Sequence, residues 1–141
     1  MARRSKGIVG IIGLGIMGGA FARNLIADGW KIAGIDTDSA RRKAMAKAGV
    51  TICDHVKELV AQVPVVITSL PSPKALHAVV KEIAEAKAKP RIVVEASTFA
   101  LDDQLAAEKL LRKAGHTLLD CPVSGTGAQA AVKDLVIYAS G

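Results

Sequence analysis

Aromatic residues are nearly absent: Phe21, Trp30, Phe99 and Tyr138 are the only ones, 3% of the chain. A core built without them must come from Val, Ile, Leu and Ala, which suits helices packed closely on a parallel sheet. Cysteine is almost as scarce. Cys53 and Cys121 stand in no CxxC pair and near no His at ligand spacing, which excludes a disulfide scaffold and a zinc site; both read as small buried thiols. No apolar run reaches the ~20 residues that a membrane-spanning helix needs. The basic start, with Arg3, Arg4 and Lys6, precedes an apolar stretch as in a secretory leader. That stretch is broken by glycines and lacks a small-residue cleavage site, so it reads as a first strand and the expected location is the cytoplasm. The formal charge of +6 is spread over several helices among Glu and Asp, with no basic cluster interleaved with aromatics, so nucleic acid is not an expected partner.

What is present is a rhythm. Half of the residues are hydrophobic, and the 141-residue length suits one domain with a real core. Short apolar runs alternate with helical stretches. Strands are expected at Gly7 to Ile12, Lys31 to Ile35, Val65 to Leu70, Arg91 to Glu95, Thr117 to Leu119 and Leu135 to Ala139. Helices are expected at Ile16 to Asp28, Ala40 to Ala48 (N-cap Ser39, C′ Gly49), from an Asp54 cap to Gln62, from Ser72-Pro73 to Ala88, at Leu101 to Ala114, and briefly at Ala128 to Lys133. Strands separated by helices of this length make βαβ units. The fold expected is α/β: a Rossmann-type doubly wound, mainly parallel sheet with helices on both faces.

The segment Gly13-Leu14-Gly15-Ile16-Met17-Gly18 fits G-x-G-x-x-G between an apolar strand and a helix. In that context the first glycine serves a tight turn, the second lets a pyrophosphate approach the backbone, and the third lets helix and strand pack closely. The helix start supplies N–H groups and a positive dipole end for phosphate. Asp36 ends the second strand near the ~20-residue offset where a carboxylate bonds the adenosine ribose hydroxyls. A carboxylate there repels a 2′-phosphate, so NAD is expected over NADP; Arg41 and Arg42 keep the NADP alternative open, because a nearby Arg can accept that phosphate. Ser69-Leu70-Pro71-Ser72 and Ala96-Ser97-Thr98 lie at the carboxyl ends of expected strands, the ligand edge of an open α/β sheet. His55, His77 and His116 are scattered and read as structural or solvent-facing, away from every candidate site residue.

These residues resemble the β-hydroxyacid dehydrogenases, the family of 3-hydroxyisobutyrate dehydrogenase, tartronate semialdehyde reductase and 6-phosphogluconate dehydrogenase. The glycine segment, continued by Ala22, Asn24, Leu25 and Gly29, is similar to the family's G-L-G-x-M-G…A-x-N-L…G signature. Asp120-Cys121-Pro122-Val123-Ser124-Gly125 is similar to its D-A-P-V-S-G-G segment. The resemblance covers essentially the whole chain. It implies that Gly13, Leu14, Gly15, Ile16, Met17, Gly18, Asp36, Leu70 and Pro71 line the cofactor site, with Ser97 and Thr98 near the nicotinamide. It implies that Ser124, Gly125 and Thr126 hold a small hydroxy acid undergoing reversible hydride transfer.

Departures from the family pattern gather toward the substrate segment: Thr126 for a second glycine, Cys121 for alanine, Lys133-Asp134 for glycine and a small polar residue. Glu95 stands for Asp, and Leu101 near a usual proline. The family's general base is a lysine in a second, helical domain, and no lysine here sits in that motif; Lys133 reads as flanking a short helix. No catalytic residue is therefore expected within 1–141, read as one dinucleotide-binding domain, and no metal. Two readings follow. One is the cofactor domain of a longer, homo-oligomeric NAD(P)-dependent dehydrogenase, inactive alone; the other is a stand-alone nucleotide-binding module acting as sensor or scaffold.

Overall fold

Burial on both faces explains why the strands lack polar alternation. The structure is a computed structural model that describes residues 4–141; Arg3, part of the basic start, lies outside the described residues. Strands β1 (Ile8–Ile12), β2 (Lys31–Ile35), β3 (Thr51–Ile52), β4 (Val65–Thr68), β5 (Ile92–Glu95) and β6 (Thr117–Asp120) form one sheet in the order β3-β2-β1-β4-β5-β6. Every pairing in it is parallel. Side chains alternate across the sheet. Val9, Ile11 and Ile32 pack with Ala22 of α1 (Ile16–Ala27) and Met45 of α2 (Ser39–Lys47) on one face. Ile12, Val66 and Val93 pack on the other face with α3 (Val56–Gln62), α4 (Pro73–Glu85) and α5 (Leu101–Lys113), through Leu59, Leu76, Val80, Ile83 and Leu111. Fully burying a Leu or Ile contributes about 1.5–3 kcal/mol, so these two aliphatic layers hold the sandwich without aromatics. The doubly wound architecture is the one expected.

This winding positions the candidate site. The chain builds from β1 outward through β2 and β3, then crosses back to β4 on β1's other side. The loops after β1 and β4 therefore leave toward opposite faces, and a crevice opens at their carboxyl ends, the topological switch point.

Several local expectations shift. β3 was not anticipated: two residues, Thr51 exposed, are too short to show a period. The carboxylate capping α2 is that of Asp38, which accepts the Arg41 N–H at 3.0 Å, so Ser39 is already helical. His55, not Asp54, is the N-cap of α3; there the Glu58 carboxylate reaches back to the Asp54 N–H. The helix after Ser72-Pro73 stops at Glu85, and Lys87 turns left-handed (φ 52°). At the carboxyl end, β7 (Val123–Ser124) and β8 (Val136–Ile137) pair antiparallel in a separate two-stranded ribbon, so the stretch expected as a sheet strand at Leu135 to Ala139 does not join the main sheet. Between them α6 (Gly127–Ala131) is tied to α1 by the Asn24 amide, which donates to the Ala130 carbonyl at 2.8 Å. Lys133 follows α6 in a left-handed turn, flanking it as expected. Cys53 and Cys121 are buried free thiols, and burial pushes both up from the ordinary thiol range.

His116 is buried at the start of β6, where its Nδ1 accepts the Arg91 N–H at 3.0 Å. Nε2 therefore carries the proton, and among the described residues it is buried without a partner. Burial, aided by the Arg91 charge, holds the imidazole below its ordinary pKa of 6.5. The unfolded chain then takes up the proton first as pH falls. The contribution of neutral His116 is whole above about pH 6.5 and is lost as pH drops below that toward the lower folded value. Thermal denaturation at pH 7.5 and 5.5 should show a larger drop for the native chain than for His116→Asn. Equal drops would show that His116 does not couple folding to pH.

Candidate functional site

The three loop glycines are required for different reasons. Gly13 has φ +96°, and a Cβ on it would collide with the Ser69 carbonyl oxygen. A Cβ on Gly18 would collide with the Gly13 carbonyl. Both are fixed by the chain's own packing. Gly15 has an ordinary negative φ of −71°, and the atoms near its would-be Cβ are those of the Arg41 guanidinium, 3.6–3.9 Å away. No backbone or core group claims that space. Gly15 is also the N-cap of α1, with no side-chain cap bond and no acidic residue in the first turn. The first-turn N–H groups are left to solvent or to an anion.

Asp36 closes the loop from the β2 side. Its Oδ2 accepts the Leu14 N–H at 2.8 Å and its Oδ1 the Asp38 N–H at 2.8 Å, and its side chain is only 6% exposed. A carboxylate oxygen can accept more than one hydrogen bond, so capacity remains for hydroxyl donors in the cleft. Arg42 donates from Nη1 to the carbonyls of Asp36 and Thr37, which commits it to the turn. Arg41 stands over the cleft, 3.8 Å from Asp36 Oδ2.

Together these groups line a cleft of about 780 Å³, within the range of small-molecule and cofactor sites. Gly13, Gly15, Ile16, Met17, Asp36, Leu70 and Pro71 border it. Leu14 and Gly18 sit behind the wall: Leu14 is a buried core side chain beside Gly34, and Gly18 is the packing glycine. Ser97 and Thr98 stand outside this wall, but Ser97 is coupled to it, its Oγ accepting the Leu70 N–H at 2.9 Å. Beneath, the fully buried Glu95 carboxylate accepts from Thr68 Oγ1 at 3.3 Å, the Ser97 N–H at 3.0 Å and Gln104 Nε2 at 2.6 Å. Glu95 thus locks the ends of β4 and β5 to α5. Among the described residues no group of three or more His, Cys, Asp or Glu could hold a metal ion, and no helix is long and apolar enough to cross a membrane.

Residues 8–141 match the family described as the NAD binding domain of 6-phosphogluconate dehydrogenase. The chain belongs to this family. The NAD-binding-domain chain is 29% identical over 133 residues to a probable 3-hydroxyisobutyrate dehydrogenase of Mycobacterium tuberculosis, covering 94% of this chain and 45% of the relative. It is 28% identical to 2-(hydroxymethyl)glutarate dehydrogenase of Eubacterium barkeri, covering 94% and 46%. Its fold superposes on a solved Mycobacterium tuberculosis 3-hydroxyisobutyrate dehydrogenase with L-serine at a TM-score of 0.91, 30% identity, covering 95% of this chain and 46% of that one. The chain spans less than half the length of the curated relatives it matches.

In this NAD-binding domain the remaining candidates lie apart from the cleft wall. Ser124 and Gly125 are exposed at the end of β7, and Gly125 (φ +147°) has no room for a Cβ beside Leu135. The Thr126 hydroxyl accepts the Gln129 N–H at 3.2 Å while the Gln129 side chain accepts the Thr126 N–H, a capping box that starts α6. A Cβ on the next residue, Gly127, would collide with Ile16, so this turn abuts the start of α1.

His55 is expected from the sequence to stand away from every candidate residue; the structure corrects this. His55 borders the cleft together with Cys53, Asp54, Val56, Val79 and Glu82. The signal that would have found Cys53, Asp54 and His55 is β3, since they follow the carboxyl end of that strand. His77 is remote, its Nε2 2.8 Å from Asp103 Oδ1 in a partly exposed pair between α4 and α5.

Proposed function

We propose that the cleft holds NAD in preference to NADP and that the protein serves hydride transfer between the nicotinamide and a small 3-hydroxy acid. The observation that carries the reading is Gly15: a glycine with ordinary backbone angles, unneeded by the fold, at an uncapped helix start. Such a position fits a pyrophosphate set against the first turn of α1. In this reading the adenosine ribose lies at Asp36, the adenine toward Val56, Val79 and His55, and the nicotinamide toward Leu70, Pro71, Ser97 and Thr98. Ser124, Gly125 and Thr126 face the substrate, whose class is supported by the dehydrogenases named among the relatives.

Oxidising an alcohol sends hydride to the nicotinamide and the hydroxyl proton to a base. That base is proposed to come from the part of the longer relatives that this chain does not match, with 1–141 acting as the cofactor domain. Cytoplasmic residence and a homo-oligomer belong to the same reading.

Titration of the 141-residue chain should give NAD binding in the micromolar to millimolar range, about 4–8 kcal/mol. Asp36→Ala should weaken NAD more than NADP, because it removes a ribose hydroxyl acceptor while also removing repulsion of a 2′-phosphate. It should also cost about 1–2 kcal/mol of stability, since the Leu14 and Asp38 N–H groups lose their acceptor. Equal loss for both nucleotides would mean that Asp36 only shapes the loop. NADH production by the full-length gene product from NAD and a 3-hydroxy acid separates a dehydrogenase from a binding module without catalysis.

A further inference from the structure

We infer that Arg41 is the cation that holds the cofactor's pyrophosphate from the side opposite the α1 N-terminus, an inference that rests on the reading of the cleft as a dinucleotide site. The two neighbouring arginines at the start of α2 have separate tasks. Arg42 also borders the cleft, but its Nη1 is held by the carbonyls of Asp36 and Thr37, fixing the turn between β2 and α2. Arg41 keeps its side chain 54% exposed, and its guanidinium reaches across the mouth of the glycine loop to within 3.6–3.9 Å of the would-be Gly15 Cβ. Its contact with Asp36 Oδ2, at 3.8 Å, is an ion pair too long for a hydrogen bond, so its donors are not committed. The guanidinium thus faces the space beside Gly15, at the start of α1, where no side chain caps the first turn. A planar fork of donors facing a helix start suits a diphosphate, which presents several anionic oxygens.

The alternative task for the same side chain is a ribose 2′-phosphate beside Asp36, whose carboxylate is as near the guanidinium as Gly15 is. Charge weighs against it, because the Asp36 carboxylate repels a phosphate at the ribose.

The experiment titrates the native chain, Arg41→Gln and Lys43→Gln with adenosine, ADP-ribose, NAD and NADP, followed by NMR chemical shifts. Lys43 is an exposed cation of the same helix outside the cleft wall, so it controls for overall charge. Arg41→Gln is expected to weaken ADP-ribose and NAD about tenfold, to leave adenosine unchanged, and to flatten the salt dependence of NAD binding; Lys43→Gln should change none of these by more than about twofold. Loss confined to NADP would assign Arg41 to the 2′-phosphate and overturn the inference. Unchanged ADP-ribose binding, or an equal effect from Lys43→Gln, would overturn it as well. Failure of the native chain to bind NAD and ADP-ribose is a different result, and removes the dinucleotide reading itself.

Discussion

Gly15→Val is expected to abolish NAD binding in a chain that still folds. The substitution places a branched side chain in the space kept open at the start of α1, where the pyrophosphate would approach the N–H groups. Because φ at Gly15 is −71° and the surrounding atoms belong to an exposed arginine, the folded state accommodates the change. Loss of at least ~100-fold in affinity, about 2.7 kcal/mol, is expected, with a thermal midpoint within a few degrees of native. Calorimetric titration beside a melting curve measures both. Native affinity in the variant would remove the glycine loop from the binding site.

Gly13→Ala should do the reverse damage. At φ +96° an L-residue is strained, and its Cβ would be driven into the Ser69 carbonyl, which belongs to the β4 end of the crevice and cannot swing away. Strain and overpacking together are expected to destabilise the fold by about 3 kcal/mol or more. That lowers the melting point by on the order of 10 °C. Binding then falls because the crevice no longer closes, not because a ligand is blocked. A variant that melts with the native chain would show that β1 and β4 do not meet as described. Taken together, the two glycines separate a ligand's requirement from the fold's, although the G-x-G-x-x-G pattern treats them alike.

Long apolar strands and glycine-stopped helices were legible because each carries its own local signal. Gly29 (φ +97°) and Gly49 (φ +106°) stop α1 and α2 where expected, since the left-handed turn after a helix favours glycine wherever it occurs. Short elements were not legible. β3 has two residues, and its identity as a strand comes from pairing Ala33 with Thr51 and Gly34 with Ile52. Missing it hid Cys53, Asp54 and His55 from the cleft. The caps of α2 and α3 slipped by one residue: Asp38 and Ser39 are both good caps, so composition cannot choose between adjacent frames, and at α3 the cap is His55, which makes no side-chain cap bond and so carries no signal.

Order along the chain, with its parallel layers, aliphatic core, glycine loop and Asp36, was determined by the sequence alone, because these depend on periodicity and on backbone freedom that residue type controls directly. Only the tertiary structure decided that Asp36 also clasps the Leu14 N–H and that Glu95 locks the ends of two strands. Those facts depend on where a long or branched polar side chain finds a partner far along the chain, and such partners are set by the crossing of β1 and β4 rather than by neighbours in sequence.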